Sequence, residues 1–267
     1  MERKEVAFSG VKPFDLAVTL CKNVKPKYQK TTESHIHDIC EIYVNIAGDV
    51  SFMVENKVYA ISHGDVIITR PYEYHHCIYN SETAHDHFWI TFSHHGNEKL
   101  LGAFFDRKAG EGNYISLSSI KKDKLLTFCE KLLKEQSEIK KHITFLNILD
   151  LISEKGDITT PQNLPDDVQM CISYISDNLS NPITVKMLAE LAHVTVNTLE
   201  RHFKTYIGLS PYAYIQNYRL ARAAFSLEEG ESVTMAAEKN GFSDYSHFIS
   251  IFKKAYGKTP LQYKKGL

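Results

Sequence analysis

The sequence predicts an α+β protein of two domains: an N-terminal small β-barrel with two flanking helices, and an all-α C-terminal domain. Short alternating apolar runs, rich in Val, Ile, Tyr and Phe, fill residues 14–114, and helical periodicity begins near residue 119. An internal repeat occupies the last hundred residues. We place the barrel at 1–118, a helical dimerisation or packing segment at 119–155, a linker at 156–167 and the helical domain at 168–267.

The composition is that of a globular protein. The 267 residues are 43% hydrophobic and 24% charged, which excludes a disordered or fibrous chain. No apolar run approaches the ~18 residues of a membrane span, and the start, MERKEVAFSG, lacks the apolar core of a signal peptide. We therefore expect a cytoplasmic protein with no membrane contact. The five cysteines form no CxxC pair, so we expect buried free thiols.

Charge is distributed unevenly along the chain. Residues 1–167 hold 20 Lys and Arg against 24 Asp and Glu, whereas residues 168–267 hold 11 against 8. Ten of the 13 histidines lie in the first part. The C-terminal domain is therefore mildly basic, and the N-terminal domain is acidic and rich in histidine.

Five runs separated by turn residues predict the strands of the barrel. They are EIYVNIAG, VSFMVENKVYAI, GDVIITRP, HHCIYN and HFWITF. In the last run, alternation places Trp89 on the same face as His87 and opposite Phe88 and Ile90. We expect the following histidines to be exposed residues of loops and strands: His85, His87, His94 and His95.

Residues 119–154 predict two helices with one apolar stripe, which packs on the barrel or against a second subunit. The stripe consists of Leu125, Leu126, Cys129, Leu132, Leu133, Ile143, Leu146, Ile148, Leu149 and Ile152. The next segment, GDITTPQNLPDD, combines prolines, turn residues and acids, and predicts the linker.

The repeat in the last hundred residues has an offset of 49. Residues 203–214 match residues 252–263, with Phe, Lys, Gly, Pro and Tyr recurring. Each copy follows an apolar-faced helix, a tight turn and a second helix, which together predict a helix-turn-helix. We expect Thr195 and Ser243 to cap the second helices, with Leu199 and Phe203, and then Phe248, Phe252 and Tyr256, on their buried sides.

With these features the last hundred residues resemble the DNA-binding domain of the AraC/XylS transcription regulators. The segment GFSDYSHFISIFKKAYGKTPLQYKK carries most of this resemblance, and the segment YRLARA joins the two units. The resemblance implies seven helices, with two recognition helices entering successive major-groove segments. One departure is His193, which stands in the first turn where the family usually has glycine.

The resemblance also implies which residues face double-stranded promoter DNA. In the first recognition helix these are Asn197, Thr198, Glu200, Arg201 and Lys204; in the second they are Ser243, Tyr245, Ser246, Ser250 and Lys253, with Lys254 beside them. Asn, Arg and Glu side chains suit base edges, whereas lysines suit phosphates. The short Ser246 and Ser250 predict that the second helix contributes mostly backbone contacts.

The N-terminal domain resembles the cupin barrels. Residues 35–48 fit the first cupin motif, H-x-H-x3-E-x6-G, and residues 64–75 resemble the second. The chain departs from the second motif at Arg70 and Tyr72, and again shortly after it at Tyr79. Strand spacing places His35, His37, Glu41 and Tyr43 on one face, which a closed barrel turns inward. We predict a small-molecule pocket lined by His35, His37, Glu41, Tyr43, His75 and Trp89. Cupin enzymes hold a divalent metal with such a set, here His35, His37, Glu41 and His75; we favour an effector pocket with no metal and no cofactor.

These patterns predict a non-enzymatic transcription regulator that a small-molecule effector controls, a carbohydrate being one class that the family senses. The resemblance implies a homodimer and, for an activator, contact with RNA polymerase. Two alternatives stay open. A metal-dependent cupin isomerase or dioxygenase would leave the helical domain without a role, and a sensor acting only through protein partners would not bind DNA.

Overall fold

The structure, a computed structural model, describes residues 14–24, 37, 39–94, 97–153 and 164–265. Its N-terminal part contains eight strands. They are β1 (Leu16–Val24), β2 (Cys40–Ala47), β3 (Val50–Val54), β4 (Lys57–Ile61), β5 (Val66–Thr69), β6 (His75–Tyr79), β7 (His85–Phe92) and β8 (Tyr114–Ile115). The five predicted runs correspond to β2 to β7, and the structure adds β1 and β8 at the edges.

The strands form two antiparallel sheets that face each other. One has the order β1-β7-β2-β5-β8 and the other β4-β3-β6. In the first sheet, Tyr43 pairs with both Ile67 and Trp89; in the second, Phe52 pairs with Cys77. Because side chains alternate along a strand, these residues face the space between the sheets, where Tyr43, Phe52, Ile67 and Cys77 belong to one buried cluster.

A helical layer covers the outer face of the five-stranded sheet. After a short helix α1 (Gly102–Phe105), α2 (Ser119–Lys134) and α3 (Glu138–Ser153) pack on the sheet through Leu125, Cys129 and Ile148. The predicted stripe is thus largely confirmed. Three of its members were wrongly assigned to it and are exposed: Leu133 (38%), Ile143 (54%) and Leu146 (41%). They lie on the side of the helix pair that faces away from the sheet.

Residues 164–265 form seven helices, as the resemblance implied. They are α4 (Asp166–Asp177), α5 (Val185–Leu191), α6 (Val196–Tyr206), α7 (Pro211–Glu228), α8 (Val233–Lys239), α9 (Tyr245–Tyr256) and α10 (Pro260–Lys265). The predicted linker falls mostly on residues 156–163, which lie outside the described residues, and α4 begins within its last two positions. The predicted boundaries of the segments therefore stay predictions.

Both helix-turn-helix units begin their second helix with a side-chain cap. Thr195 accepts a hydrogen bond from the backbone N–H of Thr198, which confirms its predicted role. In the second unit the predicted cap, Ser243, is wrong: Asp244 accepts from the N–H of His247. Asp244 is also the residue that the 49-residue offset aligns with Thr195. The predicted buried residues Leu199, Phe203, Phe248 and Phe252 are fully buried, and Tyr256 is half-buried.

The three-stranded sheet packs with its outer face on the helical part. Met53, Val58, Tyr74 and Ile78 share one buried cluster with residues of α4 to α7, including Ile172. The barrel is thus one of three layers, with α2 and α3 on one side and the C-terminal helices on the other.

All five cysteines are free, and four are buried. Within the described ranges no helix has both the length and the apolar character needed to cross a membrane.

Candidate functional site: the barrel cavity and the recognition helices

The space between the two sheets contains a narrow cavity of about 20 Å³, which is room for about one water molecule. Its wall combines one carboxylate with aromatic and imidazole rings. The lining residues are Glu41, Tyr43, Phe52, His76, Cys77, His85, His87 and Trp89. Three of the predicted pocket residues, Glu41, Tyr43 and Trp89, are among them. Gly48 of the cupin motif lies at the end of β2 with a φ of +113°, where a Cβ would lie 2.3 Å from the Cβ of His85.

His85 and His87 form an aromatic stack inside the cavity, so the prediction that they are exposed was wrong. Their rings are parallel with centroids 4.8 Å apart, and His87 also stacks on Tyr43 at 4.7 Å. Burial lowers the pKa of His87 to about 4, with a further contribution from His85, and burial also lowers the pKa of His85. Both rings are therefore neutral at pH 7, and this side of the cavity carries no charge.

A triad lies beside the cavity, with Glu41 and His75 buried and His37 half-buried. Glu41 Oε2 is 2.9 Å from His37 Nε2 and 3.3 Å from His75 Nε2. Burial raises the pKa of Glu41, but the charge of His75 and the hydrogen bonds of both histidines outweigh it and hold the pKa well below its usual range. The pKa of His75 is lowered by burial and raised more strongly by Glu41, so its net shift is upward. The predicted fourth member, His35, lies outside the described residues.

The loop before β6 is fixed by a second buried carboxylate. Glu73 receives a bidentate contact from Arg107, at 2.6 and 2.7 Å, and hydrogen bonds from Asn113 and from the N–H of Gly110. Its own carbonyl accepts a hydrogen bond from His75 Nδ1 at 2.7 Å. This network orients His75 towards Glu41, and no local sequence signal predicts it because Arg107 and Asn113 are distant in the chain.

Strand β6 connects the cavity to the helical part. His75 and Cys77 face the inside of the barrel, whereas His76 Nε2 donates to the carbonyl of Ile207, the residue that follows α6, at 3.0 Å. Tyr74 packs edge-on against Tyr214 and Tyr218 of α7. A single strand therefore contacts both the triad and the end of the first recognition helix.

Glu55 is a second connection, which sequence reasoning missed. It lies in the turn between β3 and β4, is buried, and accepts hydrogen bonds from Arg222 (2.9 Å) and Tyr218 (3.1 Å) of α7. It also accepts from the N–H of Tyr74 at 3.0 Å. Burial raises the pKa of Glu55, while the charge of Arg222 and these hydrogen bonds act in the opposite direction. Nothing local in the sequence indicates the contact of Glu55 with the other domain.

Most of the predicted DNA-facing side chains are exposed on α6 and α9. Asn197, Arg201 and Lys204 are exposed on α6, and Thr198 and Glu200 are half-buried. On α9 and its start, Ser243, Tyr245, Ser246, Ser250 and Lys253 are all exposed, as is Lys254. Arg219 of α7 is buried instead and donates to the carbonyl of Asn181 at 2.7 Å. Each recognition helix therefore presents a polar face beside a buried aromatic one.

Comparison with known proteins gives two family models that together match about two thirds of the chain. Residues 25–123 match an AraC-like ligand binding domain, and residues 188–266 match a helix-turn-helix domain. The transcriptional activator RhaS of Enterobacter sp. (strain 638) is 22% identical over 254 residues, 89% of each chain. The uncharacterized regulator YbfI of Bacillus subtilis (strain 168) is 27% identical and covers 80% of each chain. Among solved structures, ToxT from Vibrio cholerae O395 is 13% identical over 95% of this chain and 97% of that chain, with a TM-score of 0.38.

Proposed function

This chain belongs to the AraC family of transcriptional regulators, and from that premise we propose that it reads promoter DNA with both helix-turn-helix units under the control of a small molecule held in the barrel. The observation that carries the proposal is the pair of capped recognition helices with exposed polar faces. Acting on promoter DNA, the protein works in the cytoplasm.

The first recognition helix supplies most of the base recognition. Asn197 and Arg201 are exposed, and their side chains suit adenine and guanine edges respectively. Lys204, one turn further along, suits a phosphate. The second helix offers only short hydroxyls at Ser246 and Ser250, with Lys253 for the backbone. We therefore expect an operator with one strongly specified half and one weakly specified half.

The effector site of the proposal lies at the barrel cavity, whose wall is almost wholly apolar and aromatic. The two sheets have to separate to admit a ligand, and the rings of Tyr43, His87 and Trp89 would then offer stacking surfaces to a flat molecule, a description that includes carbohydrates. The chemistry of this wall is unsuited to a strongly anionic ligand, because Glu41 is ionised and His85 and His87 are neutral.

Control passes from barrel to DNA through the contacts of β6 and Glu55 with the helical part. His75 lies in the triad at the cavity, and the next residue, His76, bonds to the end of α6. A ligand shifts the equilibrium only if it binds one arrangement of these contacts more tightly than another. Displacement of β6 by a ligand would change the support of the first recognition helix.

A homodimer through α2 and α3 is part of the proposal, and for an activator so is contact with RNA polymerase. The helix pair has large apolar side chains on its outer side, which a second copy would bury. They are Ile120, Leu133, Ile139, Ile143 and Leu146. The relatives are named as regulators, and a regulator gives residues 164–265 a role that a cupin enzyme does not.

Selection from a random pool of duplex DNA tests the proposal. Full-length protein should enrich sequences with two conserved blocks whose centres are about 10 base pairs apart, because two linked recognition helices enter successive major-groove segments. One block should be better specified than the other. Absence of enrichment over the starting pool would refute sequence-specific binding, and a single block would refute reading by both units.

Replacement of Arg201 by alanine tests the first recognition helix. On the selected duplex the substitution should weaken binding by about 1–3 kcal/mol and relax the sequence preference within one block only. Lys186→Ala is the matched control, because it removes one exposed positive charge from α5 of the same domain. Equal losses in the two variants would show that Arg201 contributes charge and not base recognition.

A further inference from the structure

Among residues 164–265 the buried apolar side chains form two clusters, one for each helix-turn-helix unit. Residues of α4, α5, α6 and α7 belong to the first cluster, together with residues of the three-stranded sheet. Residues of α7, α8 and α9 belong to the second. Along α7 the first cluster extends to Ala221 and the second begins at Leu220, so Arg219 lies where the two meet. Two clusters that share a helix can turn about it unless further contacts fix them.

A close backbone contact and one guanidinium join the two units at this point. Gly241, in the turn of the second unit, lies so close to the loop after α4 that an added Cβ would be 2.1 Å from the carbonyl oxygen of Leu179. The same Cβ would be 2.8 Å from Cζ and Nη2 of Arg219. Arg219 Nη2 donates to the carbonyl of Asn181, in the loop after α4, at 2.7 Å. The guanidinium therefore lies between that loop and the second turn.

The charge of Arg219 is buried without a carboxylate beside it. The residue is 7% exposed, and among the described residues the charge-bearing groups near it include no Asp or Glu. Its Nε–H has no acceptor in the same part of the chain. Burial lowers the pKa of Arg219, although a guanidinium stays protonated in proteins. Because a buried cation has a high cost of desolvation, this group adds little net stability, and its main effect is on geometry.

We propose that Arg219 is a positioning residue that holds the second recognition helix at a fixed angle to the first and thereby sets the spacing of the two DNA blocks. The turn with Gly241 leads into α9, and the loop with Asn181 leads into α5 of the first unit. The donors of a guanidinium form a rigid planar fork, which suits a defined angle between two segments. The inference rests on the proposed function, since only a protein that reads both blocks has a preferred spacing.

A fixed junction makes the protein intolerant of a changed spacing. One inserted base pair moves the second block by about 3.4 Å along the DNA and turns it by about 34–36° around the axis. Two rigidly held recognition helices cannot follow this change, whereas units joined by α7 alone can turn towards it. Loss of the Arg219 side chain removes a member of neither apolar cluster, so both units should stay folded.

Fluorescence-anisotropy titration of full-length protein on two duplexes tests the proposal. One duplex is the selected operator, and the other has one base pair inserted between the two blocks. The insertion ratio is the dissociation constant for the longer duplex divided by that for the operator, and within one variant it does not depend on the folded fraction. We expect a ratio of at least about 10 for the wild type and below about 3 for Arg219→Met.

Arg222→Met is the matched control, because it removes a guanidinium from the next turn of α7 that pairs with Glu55 of the barrel. Its insertion ratio should equal that of the wild type. Amide hydrogen exchange of α6 and α9 establishes that both units are folded in each variant. Arg219→Lys keeps the charge without the fork and decides the matter if Arg219→Met is not folded; its ratio should be at least about 2-fold below that of the wild type.

The possible failures are distinguishable. A wild-type insertion ratio near 1 would overturn the fixed junction while leaving sequence-specific binding intact. A ratio in Arg219→Met as large as that of the wild type, with equal losses of affinity on both duplexes, would show that Arg219 does not set the spacing. A wild type that does not prefer the selected operator to a scrambled duplex would refute the proposed function and this inference with it.

Discussion

His87 is a buried base whose ionisation costs folding energy. Its ring lies between His85 and Tyr43, and its pKa of about 4 lies below the 6.5 of a free histidine. The unfolded chain therefore binds a proton at this residue more readily than the folded chain does. Stability is complete above pH 6.5 and falls as the pH drops from 6.5 to about 4, by up to about 3 kcal/mol from this residue.

Replacement of His87 by phenylalanine should remove this dependence while keeping the stacked ring. Urea unfolding at pH 7, 5.5 and 4.5 should show that the free energy of unfolding falls less in His87→Phe than in the wild type, by about 2–3 kcal/mol over this interval. His63→Gln, at an exposed histidine, should follow the wild type. If the free energy of unfolding of His87→Phe fell with pH as steeply as that of the wild type, His87 would already be protonated in the folded protein.

Single residues also show where sequence reasoning stops. Alternation placed Trp89 opposite Phe88 and Ile90, which is confirmed, because alternation is a local property of a strand. The burial of His87 was missed because it depends on the second sheet, whose strands lie elsewhere in the chain. The contacts of Glu41 were anticipated only through the cupin resemblance, whereas the carbonyls that fix its partners follow from loop geometry.

In both helix-turn-helix units the first helix ends in the same way, with a left-handed residue, but the residue at that position differs. His193 has a φ of +54° in the first turn, and Gly241 has a φ of +79° in the second. A Cβ on Gly241 would lie 2.1 Å from the carbonyl oxygen of Leu179 and 2.8 Å from the Arg219 guanidinium. The first turn is therefore a strained site occupied by a side chain, and the second accepts only glycine.

Opposite substitutions in these turns should have opposite effects. His193→Gly should raise the free energy of unfolding by about 0.5–1 kcal/mol, since relief of the left-handed strain exceeds the entropy cost of glycine. Gly241→Ala should lower it by about 2–4 kcal/mol through strain and overlap. Thermal denaturation followed by circular dichroism measures both. A stabilising Gly241→Ala would contradict the tight packing of the second turn.

Elements were predicted well wherever their signals are local. The hydroxyl cap at Thr195 and the apolar stripes of α6 and α9 each depend on residues within a few helical turns. The cap of α9 was placed one residue early because Ser243 and Asp244 are both good capping residues. Ile143 and Leu146 were assigned to the buried stripe because periodicity in an apolar helix cannot distinguish its two sides.

The barrel and the helical part form one packed molecule through the outer face of β3, β4 and β6. Apolar residues of that face share a cluster with α4 to α7, and Glu55 adds an ion pair with Arg222 at its edge. The Arg222 guanidinium also lies over the Tyr218 ring, 5.1 Å from its centroid. No local pattern predicts such a contact, because an outward-facing apolar residue of a strand produces the same sequence pattern whether a helix or a sheet covers it.

Replacement of Glu55 by glutamine should loosen this interface while leaving each part folded. Amide hydrogen exchange of α7 should become faster by the equivalent of about 1–2 kcal/mol, since the half-buried guanidinium of Arg222 loses the charge of its partner. Glu130→Gln is the matched control, because it breaks an exposed ion pair on α2. Unchanged exchange in Glu55→Gln would show that apolar packing alone holds the interface.

DNA binding by the whole chain is the central claim, and a fluorescence-anisotropy titration tests it most directly. Full-length protein is titrated onto a duplex from upstream of its own gene and onto a scrambled duplex, over a series of salt concentrations. We expect tighter binding to the upstream duplex, with the logarithm of the affinity falling linearly with log salt by about 0.9 per phosphate neutralised. Equal affinity for the two duplexes, or no binding at the lowest salt, would contradict sequence-specific binding.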